Sequence, residues 1–144
     1  MISTRGRYAL RVMIDLAECE KNTADGELDP SKEAAPYVAL KDVAERQGIS
    51  KKYLEIIAKD LVTAGFIKGT RGKSGGYRLT RKPEEYTVQE ILDVSEGDLA
   101  AVACLAKDAG ICPRSSYCKT LPMWQEYDEL TREFFSRKRL SDLV

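Results

Sequence analysis

Apolar residues recur at helical spacing near the start of the chain. Between residues 3 and 20 they follow an i, i+3, i+4 pattern, which predicts a helix with one buried face. These positions are Ala9, Val12, Met13, Leu16 and Ala17. Residues 22–36 are polar, contain glycine and proline and lack periodicity, so a loop is predicted there.

Two short amphipathic segments separated by three residues come next. The first is a short helix predicted within residues 38–47, and the second is a longer helix over residues 51–64. The inward positions of the second helix are Leu54, Ile57, Ala58, Leu61 and Val62. Gly48 can end the first helix because it accepts positive φ, and Ser50 can cap the second. Together they predict a helix-turn-helix.

The pattern changes from helical to extended after Gly65. Residues 66–70 and 76–80 favour short strands, and the glycine-rich residues 71–75 between them suit a hairpin tip. A hairpin directly after a helix-turn-helix is the layout of a winged helix. The sequence therefore predicts a mainly α fold with a small β-hairpin wing.

Two further helices are predicted beyond the wing. Thr87 can cap a helix over residues 88–95, and residues 121–138 favour a long final helix with Pro122 in its first turn. This helix carries aromatic residues at helical spacing, with Leu130 or Thr131 between them. They are Trp124, Tyr127 and Phe134. We expect them at a two-fold interface, because a lone amphipathic helix would leave them exposed.

Charge is distributed unevenly along a chain whose formal net charge is zero. Among 144 residues, the first 82 carry a net charge of +5 and the rest −5. Residues 38–82, which hold the predicted helix-turn-helix and wing, contain 11 basic and 4 acidic side chains. Such a basic region indicates a nucleic-acid partner.

Composition excludes several other classes of protein. No apolar run approaches the ~18 residues of a membrane span, and the N-terminus lacks the features of a secretory signal, so a cytoplasmic protein without membrane association is expected. The absence of histidine excludes an imidazole base, a Ser-His-Asp triad and histidine-ligated zinc. This argues against hydrolases and zinc proteases, and with the basic region described above we expect a regulator rather than an enzyme.

The second helix of the turn unit has a polar face that fits the major groove of double-stranded DNA. The polar side chains expected to point away from the core are Lys51, Lys52, Tyr53, Glu55 and Lys59. The N-terminal residues of such a helix lie nearest the base edges. Arg71 and Lys73 lie on the wing tip, which is narrow enough to enter a minor groove or straddle a backbone.

Three stretches of the sequence resemble a known family. They are residues 3–10 (STRGRYAL), 43–55 (VAERQGISKKYLE) and 71–77 (RGKSGGY). In this order they resemble the IscR/NsrR/CymR winged-helix regulators, the Rrf-two family, and the resemblance covers essentially the whole chain. It implies a bacterial transcription regulator that binds pseudo-palindromic DNA as a homodimer, paired through its long C-terminal helix. We expect repression rather than activation.

By the same resemblance, five residues match positions near DNA in the family. They are Glu45, Ser50, Tyr53, Arg71 and Gly72. The segment at residues 22–36 departs from the family pattern because it is longer and more acidic than the usual connection.

Three of the four cysteines cluster late in the chain. The spacing Cys104-x7-Cys112-x5-Cys118 is too long for a C-x2-C zinc pair but suits a loop that folds three thiolates around an iron–sulfur cluster. Several members of the family that this chain resembles hold such a cluster with three cysteines, so the resemblance implies a [2Fe–2S] or [4Fe–4S] cofactor here. The fourth ligand departs from the family: Leu121 stands where one branch has histidine, and Arg7 where another has aspartate.

Two questions about the cysteines remain open. If a cluster binds, its fourth ligand could be Asp108, Cys19, solvent or a small molecule. If no cluster binds, the thiols could act as a redox sensor, bind another metal or be structural. Cys19 is interpreted as an inert thiol at the edge of the core. An iron–sulfur electron carrier and a winged-helix protein-interaction module are the competing functions.

These predictions divide the chain into two parts. Residues 1–82 form a winged helix-turn-helix DNA-binding domain, and residues 83–144 hold the cysteine-bearing sensor loop and the dimerisation helix. The resulting function is a homodimeric DNA-binding regulator that responds to iron–sulfur, redox or small-molecule status through its cysteines.

Overall fold

The computed structural model describes residues 2–24 and 36–144. Within these ranges the elements, in chain order, are α1 (Thr4–Ala24), α2 (Leu40–Gln47), α3 (Lys51–Thr63), β1 (Ile67–Thr70), β2 (Gly76–Leu79), α4 (Val88–Glu96) and α5 (Leu121–Arg137). Three short 3-10 helices lie at Pro83–Glu85, Ala103–Leu105 and Leu140–Leu143. The mainly α fold with a β-hairpin wing is confirmed.

Helix α1 is longer than its apolar pattern predicted. It runs to Ala24, so Asn22 and Thr23 are helical rather than part of the predicted loop. The Thr23 hydroxyl donates a hydrogen bond of 2.8 Å to the Cys19 carbonyl, one turn earlier in the helix. Most of the remaining segment that was predicted as a loop, residues 25–35, lies outside the described residues.

The turn between α2 and α3 forms as the sequence predicted. Gly48 has φ 62°, a left-handed conformation that ends α2 and is accessible to glycine without strain. Ser50 caps α3, and its hydroxyl oxygen accepts a hydrogen bond from the Tyr53 amide at 3.3 Å. Ile49, between them, is 6% exposed and anchors the turn in the core.

One hydrophobic cluster organises the described chain around α1. The buried residues of α1 pack with those of α2, α3, the wing and α4, and with Tyr86 and Leu140. Val62 does not join them, although the helical pattern placed it on the inner face of α3. It is 42% exposed because it lies beyond the edge of the face formed by Leu54, Ile57 and Leu61, next to the wing.

The wing is a two-stranded antiparallel hairpin supported by the segment before α2. Strand β1 pairs with β2 from Ile67 opposite Leu79 to Thr70 opposite Gly76. Val38 extends this pairing, because it exchanges two backbone hydrogen bonds of 2.8 Å with Tyr77. Gly76 makes this approach possible, since a Cβ there would lie 2.2 Å from the Val38 carbonyl oxygen.

Helix α4 begins with the predicted cap. The Thr87 hydroxyl accepts from the Glu90 amide at 3.1 Å, and the Glu90 carboxylate accepts from the Thr87 amide at 2.8 Å. At its other end, the Glu96 carboxylate accepts from the Ser3 amide and hydroxyl, both at 2.8 Å. The C-terminal end of α4 is therefore joined to the start of α1.

The chain returns from α5 to the winged helix. The Lys138 carbonyl accepts from Val88 at 2.8 Å, and the Leu140 amide donates to the Tyr86 carbonyl at 3.0 Å. Leu140 itself is completely buried. Tyr86 and Leu140, from residues 83–144, thus share a core with residues 1–82, and the division into two domains at residue 82 stays a prediction.

Candidate DNA-binding surface and cysteine segment

The second helix of the turn unit, α3, presents a charged outer face. Four of the five polar side chains predicted to point outward are exposed: Lys51, Lys52, Glu55 and Lys59. Ser50, at the start of the helix, is also exposed. Because the amides of the first turn point out of the helix N-terminus, this end favours a phosphate group.

Tyr53 differs from the expectation that it points away from the core. It is half-buried and packs against the hydrophobic cluster, with its ring edge-on to Tyr8 at a centroid distance of 5.7 Å. Arg5 of α1 also forms an ion pair with Asp60 of α3. These contacts fix the orientation of α3 on α1.

A groove of about 410 Å³ separates α3 from the wing. Its lining includes Glu55 and Lys59 from the helix and Arg71 and Tyr77 from the wing. Both charged elements predicted to contact DNA therefore border one cleft.

The wing tip is a tight, exposed turn. Arg71, Gly72 and Lys73 are all exposed, and the Gly75 amide donates to the Gly72 carbonyl at 3.0 Å. Gly72 has φ 111°, a conformation that favours glycine. The two basic side chains are thus carried at the end of the hairpin, where they are free to reach a nucleic acid.

Glu45 lies on α2 rather than on the surface of α3. Its exposed carboxylate is 3.9 Å from the ammonium group of Lys41, one helical turn away. It does not line the groove between α3 and the wing. Its DNA contact stays a prediction.

An ion pair between a buried carboxylate, Asp15, and the half-exposed Arg46 holds the turn unit on α1, and the sequence patterns did not identify it. Asp15 is 2% exposed, and its two oxygens accept from Arg46 Nη2 at 2.6 Å and Nε at 3.1 Å. The Gln47 amide donates to the same carboxylate at 2.9 Å, and Arg11 donates to the side chain and backbone of Gln47. The one sequence signal is an aspartate beside the apolar stripe of α1.

Cys19 lies at the edge of this network, as its interpretation as a boundary thiol predicted. It is half-buried, and its sulfur is 3.6 Å from Arg46 Nη2. Burial raises the pKa of the Cys19 thiol, which keeps it protonated near neutral pH.

The three clustered cysteines lie on an irregular segment between α4 and α5. Cys104 is exposed on the 3-10 helix Ala103–Leu105, and Cys112 and Cys118 are half-buried farther along. Within residues 2–24 and 36–144, no three Cys, Asp or Glu side chains are gathered in an arrangement that could hold a metal ion. Ligation by the three cysteines therefore stays a prediction.

Asp98 joins the Cys104 region to α5. Its carboxylate accepts from the amides of Ala100 at 3.0 Å and Lys107 at 2.6 Å, which flank Cys104, and from Arg132 of α5 at 2.9 Å. These donors hold the pKa of Asp98 below its usual range, with the Lys107 amide contributing most. Lys107 also lies 3.7 Å from Asp93 of α4. A displacement of this segment would therefore act on α4 and α5 together.

Cys118 has the electrostatic surroundings of a reactive thiol. Hydrogen bonds from Thr120, whose hydroxyl oxygen is 3.5 Å from the sulfur, and secondarily the Leu121 amide and the charge of Arg114 lower the pKa of Cys118. A lower pKa increases the fraction of thiolate, which is the nucleophilic form.

We expect iodoacetamide to alkylate Cys118 before the other cysteines near pH 7. Thr120→Val should raise the pKa of Cys118 and slow its alkylation roughly two- to fivefold at that pH, since less thiolate is present. Mass spectrometry of time-resolved labelling, with Thr131→Val as a control on α5, measures the rates. Equal rates for Cys104 and Cys118 in the wild type would contradict the expectation.

The outer face of α5 carries an unpartnered apolar stripe. None of its described residues is fully buried. Met123, Tyr127, Leu130 and Phe134 are each 53–58% exposed and follow the 4-3-4 spacing of a coiled-coil seam. Trp124 is half-buried and packs edge-on against Tyr127 at 6.5 Å. The stripe is the kind of surface that a second helix covers.

The described residues thus form a winged helix-turn-helix of the kind used by DNA-binding regulators. The family model for iron-dependent transcriptional regulators of the Rrf2 type matches residues 2–144. The chain belongs to the Rrf2 family, the one that its sequence motifs resemble. It is a DNA-binding transcription regulator and not an enzyme.

Individual proteins agree with this assignment. The chain is 34% identical to the protein rrf2 of Nitratidesulfovibrio vulgaris, over 99% of this chain and 86% of that protein. It is 31% identical to the HTH-type transcriptional regulator IscR of Aliivibrio salmonicida, over 99% of this chain and 76% of IscR. The structure of CymR, the global cysteine regulator of B. subtilis, superposes with a TM-score of 0.72 at 31% identity and covers 99% of this chain and 95% of CymR.

No described helix has the length and apolar character needed to cross a membrane.

Proposed function

We propose that two copies of this chain pair through α5 and bind a pseudo-palindromic operator as a cytoplasmic homodimer. The observation that supports this most directly is the cleft between α3 and the wing, which is bordered by Lys59 on one side and Arg71 on the other. In a two-fold dimer, the two α3 helices would enter major grooves about 34 Å apart, one turn of the double helix.

Each copy would contact DNA with both elements. The α3 helix would use its N-terminal end and its outer face, and the wing tip would reach the neighbouring backbone or minor groove. The residues proposed to contact DNA are Glu45, Ser50, Lys51, Lys52, Tyr53, Lys59, Arg71, Gly72 and Lys73. We propose that the homodimer represses transcription by covering a promoter and so blocking polymerase.

The apolar stripe of α5 supports the proposed pairing. Tyr127 and Phe134, which the sequence placed at a two-fold interface, lie in the exposed stripe, and Trp124 packs beside it. Burying such side chains contributes about 1.5–3 kcal/mol each when burial is complete. A second copy of the same helix would supply the complementary surface.

The signal would enter at the cysteine segment. In this proposal residues 1–82 act as the DNA-binding part and residues 83–144 as the sensing and pairing part. A change at Cys104, Cys112 or Cys118 would shift the segment held by Asp98, and Arg132 would transmit the shift to α5. A change in relative affinity of the two states for DNA of 1–3 kcal/mol is sufficient for regulation.

Two kinds of signal are supported by different observations. Three thiols on one segment suit iron, and the matched family model describes iron-dependent regulators. The described geometry, however, does not gather the three thiols, and the chain contains no histidine to complete a ligand set. The lowered pKa of Cys118 supports direct thiol oxidation instead.

Two measurements on anaerobically purified protein test these proposals. Iron content and the visible spectrum are compared between wild type and Cys112→Ala. The affinity for DNA flanking its own gene is measured before and after treatment with hydrogen peroxide, with Cys118→Ser alongside. Bound iron that is lost in Cys112→Ala supports a cluster, whereas iron-free protein with a Cys118-dependent peroxide response supports thiol sensing.

Two other outcomes would overturn parts of the proposal. DNA affinity that responds to neither iron nor peroxide would overturn the sensing role of the cysteine segment. Binding that is independent of both salt and sequence would overturn the proposed operator contacts. A monomer at micromolar concentration, measured by sedimentation, would overturn pairing through α5.

A further inference from the structure

Tyr86 lies at the base of the wing, where the hairpin joins the core. The residue is completely buried. Its ring packs against Phe66 at a centroid distance of 5.5 Å, and the Arg81 guanidinium lies 4.3 Å from the centre of the Tyr86 ring and 5.0 Å from that of Phe66. Phe66 immediately precedes β1 and Arg81 follows β2 after one residue, so Tyr86 contacts both arms of the hairpin.

The hydroxyl of Tyr86 connects the two arms by hydrogen bonds. It donates to the Phe66 carbonyl at 2.7 Å and accepts from the amides of Thr80 at 3.1 Å and Arg81 at 2.9 Å. The Thr80 hydroxyl lies 2.6 Å from the Gly65 carbonyl oxygen, to which it donates, and 3.1 Å from both the Phe66 carbonyl oxygen and the Tyr86 hydroxyl. A phenol has one donor and two acceptor sites, and here all of them are used.

The wing depends on such support. A two-stranded hairpin is marginally stable by itself, and each strand of this one has four residues. The Val38–Tyr77 bonds hold it near the tip end of β2. At the core end, the Glu20 carboxylate of α1 accepts from the Leu79 amide at 3.3 Å, and the Tyr86 hydroxyl joins the two arms. The hydroxyl of Tyr86 is therefore one of the contacts that hold the base of the hairpin on the core, and it is the one that bonds to both arms.

We propose that Tyr86 is a positioning residue for DNA binding. Its hydroxyl orients the wing so that Arg71 and Lys73 reach the nucleic acid. This rests on the proposed contact of the wing with DNA. Arg71 and Lys73 lie at the far end of the hairpin from Tyr86, so a small change of angle at the base moves the tip by several ångströms.

Tyr86→Phe tests the proposal, because it removes one oxygen and leaves the ring in place. We expect DNA affinity to fall about three- to tenfold, because the variant loses the hydroxyl that bonds to both arms of the wing. The slope of log K against log salt concentration should become less steep, since wing contacts with phosphate are lost. Tyr117→Phe removes a hydroxyl from a 65% exposed tyrosine outside the wing and should change neither quantity.

Two measurements distinguish a change in the orientation of the wing from a general loss of structure. Trypsin should cut Tyr86→Phe faster at Arg71 and Lys73 than wild type, with unchanged rates elsewhere, and the thermal unfolding midpoint should stay above the assay temperature. Thr80→Val, which removes the neighbouring hydroxyl from the same junction, should have a smaller effect in the same direction.

A double-mutant cycle distinguishes failure of this inference from failure of the proposed function. In an Arg71→Ala/Lys73→Ala background, Tyr86→Phe should cause no further loss of affinity, because the two tip charges that Tyr86 is proposed to position are already absent. If Arg71→Ala/Lys73→Ala leaves binding unchanged, the proposed wing contact is wrong. If that variant weakens binding while Tyr86→Phe does not, or if the two losses add fully, the role of Tyr86 is overturned and the wing contact stands.

Discussion

Replacing Lys51, Lys52 and Arg71 together by alanine is expected to weaken operator binding by on the order of 100-fold near 0.1 M salt. All three side chains are exposed, two on the first turn of α3 and one on the wing. Each phosphate contact that is lost lowers the slope of log K against log salt concentration by about 0.9, and a homodimer loses every contact twice. Titrations of fluorescent operator DNA at several salt concentrations measure both effects.

A matched control separates local contacts from the change in total charge. Lys21→Ala/Lys119→Ala/Arg139→Ala removes the same three charges from exposed positions outside α3, the wing and the stripe of α5. This variant should bind DNA within a few-fold of wild type. Equal losses in the two triple variants would show that overall charge, rather than the proposed surface, determines affinity.

Replacing Arg46 by leucine should lower the free energy of unfolding by about 3 kcal/mol, because it leaves a buried carboxylate without its charged partner. The partner is Asp15, which is 2% exposed and keeps only the Gln47 amide. Urea denaturation followed by circular dichroism gives the value. The same substitution at Arg137, whose ion pair with Glu133 is exposed, should cost at most about 0.5 kcal/mol.

The double variant Asp15→Leu/Arg46→Leu completes this experiment. Replacing both members of a buried pair by apolar residues of similar size often restores stability, so we expect most of the loss to be recovered. If the double variant is as unstable as Arg46→Leu alone, packing at this site rather than the unpaired charge explains the loss. The DNA affinity of the double variant shows whether the ion pair also orients α3.

Local sequence signals predicted the elements of the fold closely. Gly48, Ser50 and Thr87 each act within four residues of their own position, so their roles follow from residue type and spacing. The same locality explains two of the departures from prediction. Val62 has the spacing of an inner position but lies beyond the edge of the buried face, and Tyr53 has the spacing of an outer position but packs against Tyr8.

The contacts that organise the candidate site are long-range and carried no such signal. Arg46 meets Asp15 across 31 positions of sequence, and Arg132 meets Asp98 across 34. The sequence does not distinguish Tyr86 from other aromatic residues, whereas the structure shows that its hydroxyl bonds to both arms of the wing. Whether three cysteines ligate one metal depends equally on distances that spacing alone does not determine.

The burial of Leu140 affects how the protein is made. This residue completes the core beneath Tyr86, yet it is synthesised after all of α5. While the chain is still attached to the ribosome at that point, the base of the wing lacks part of its support. A nascent chain therefore lacks this part of the support of its wing until α5 has been synthesised.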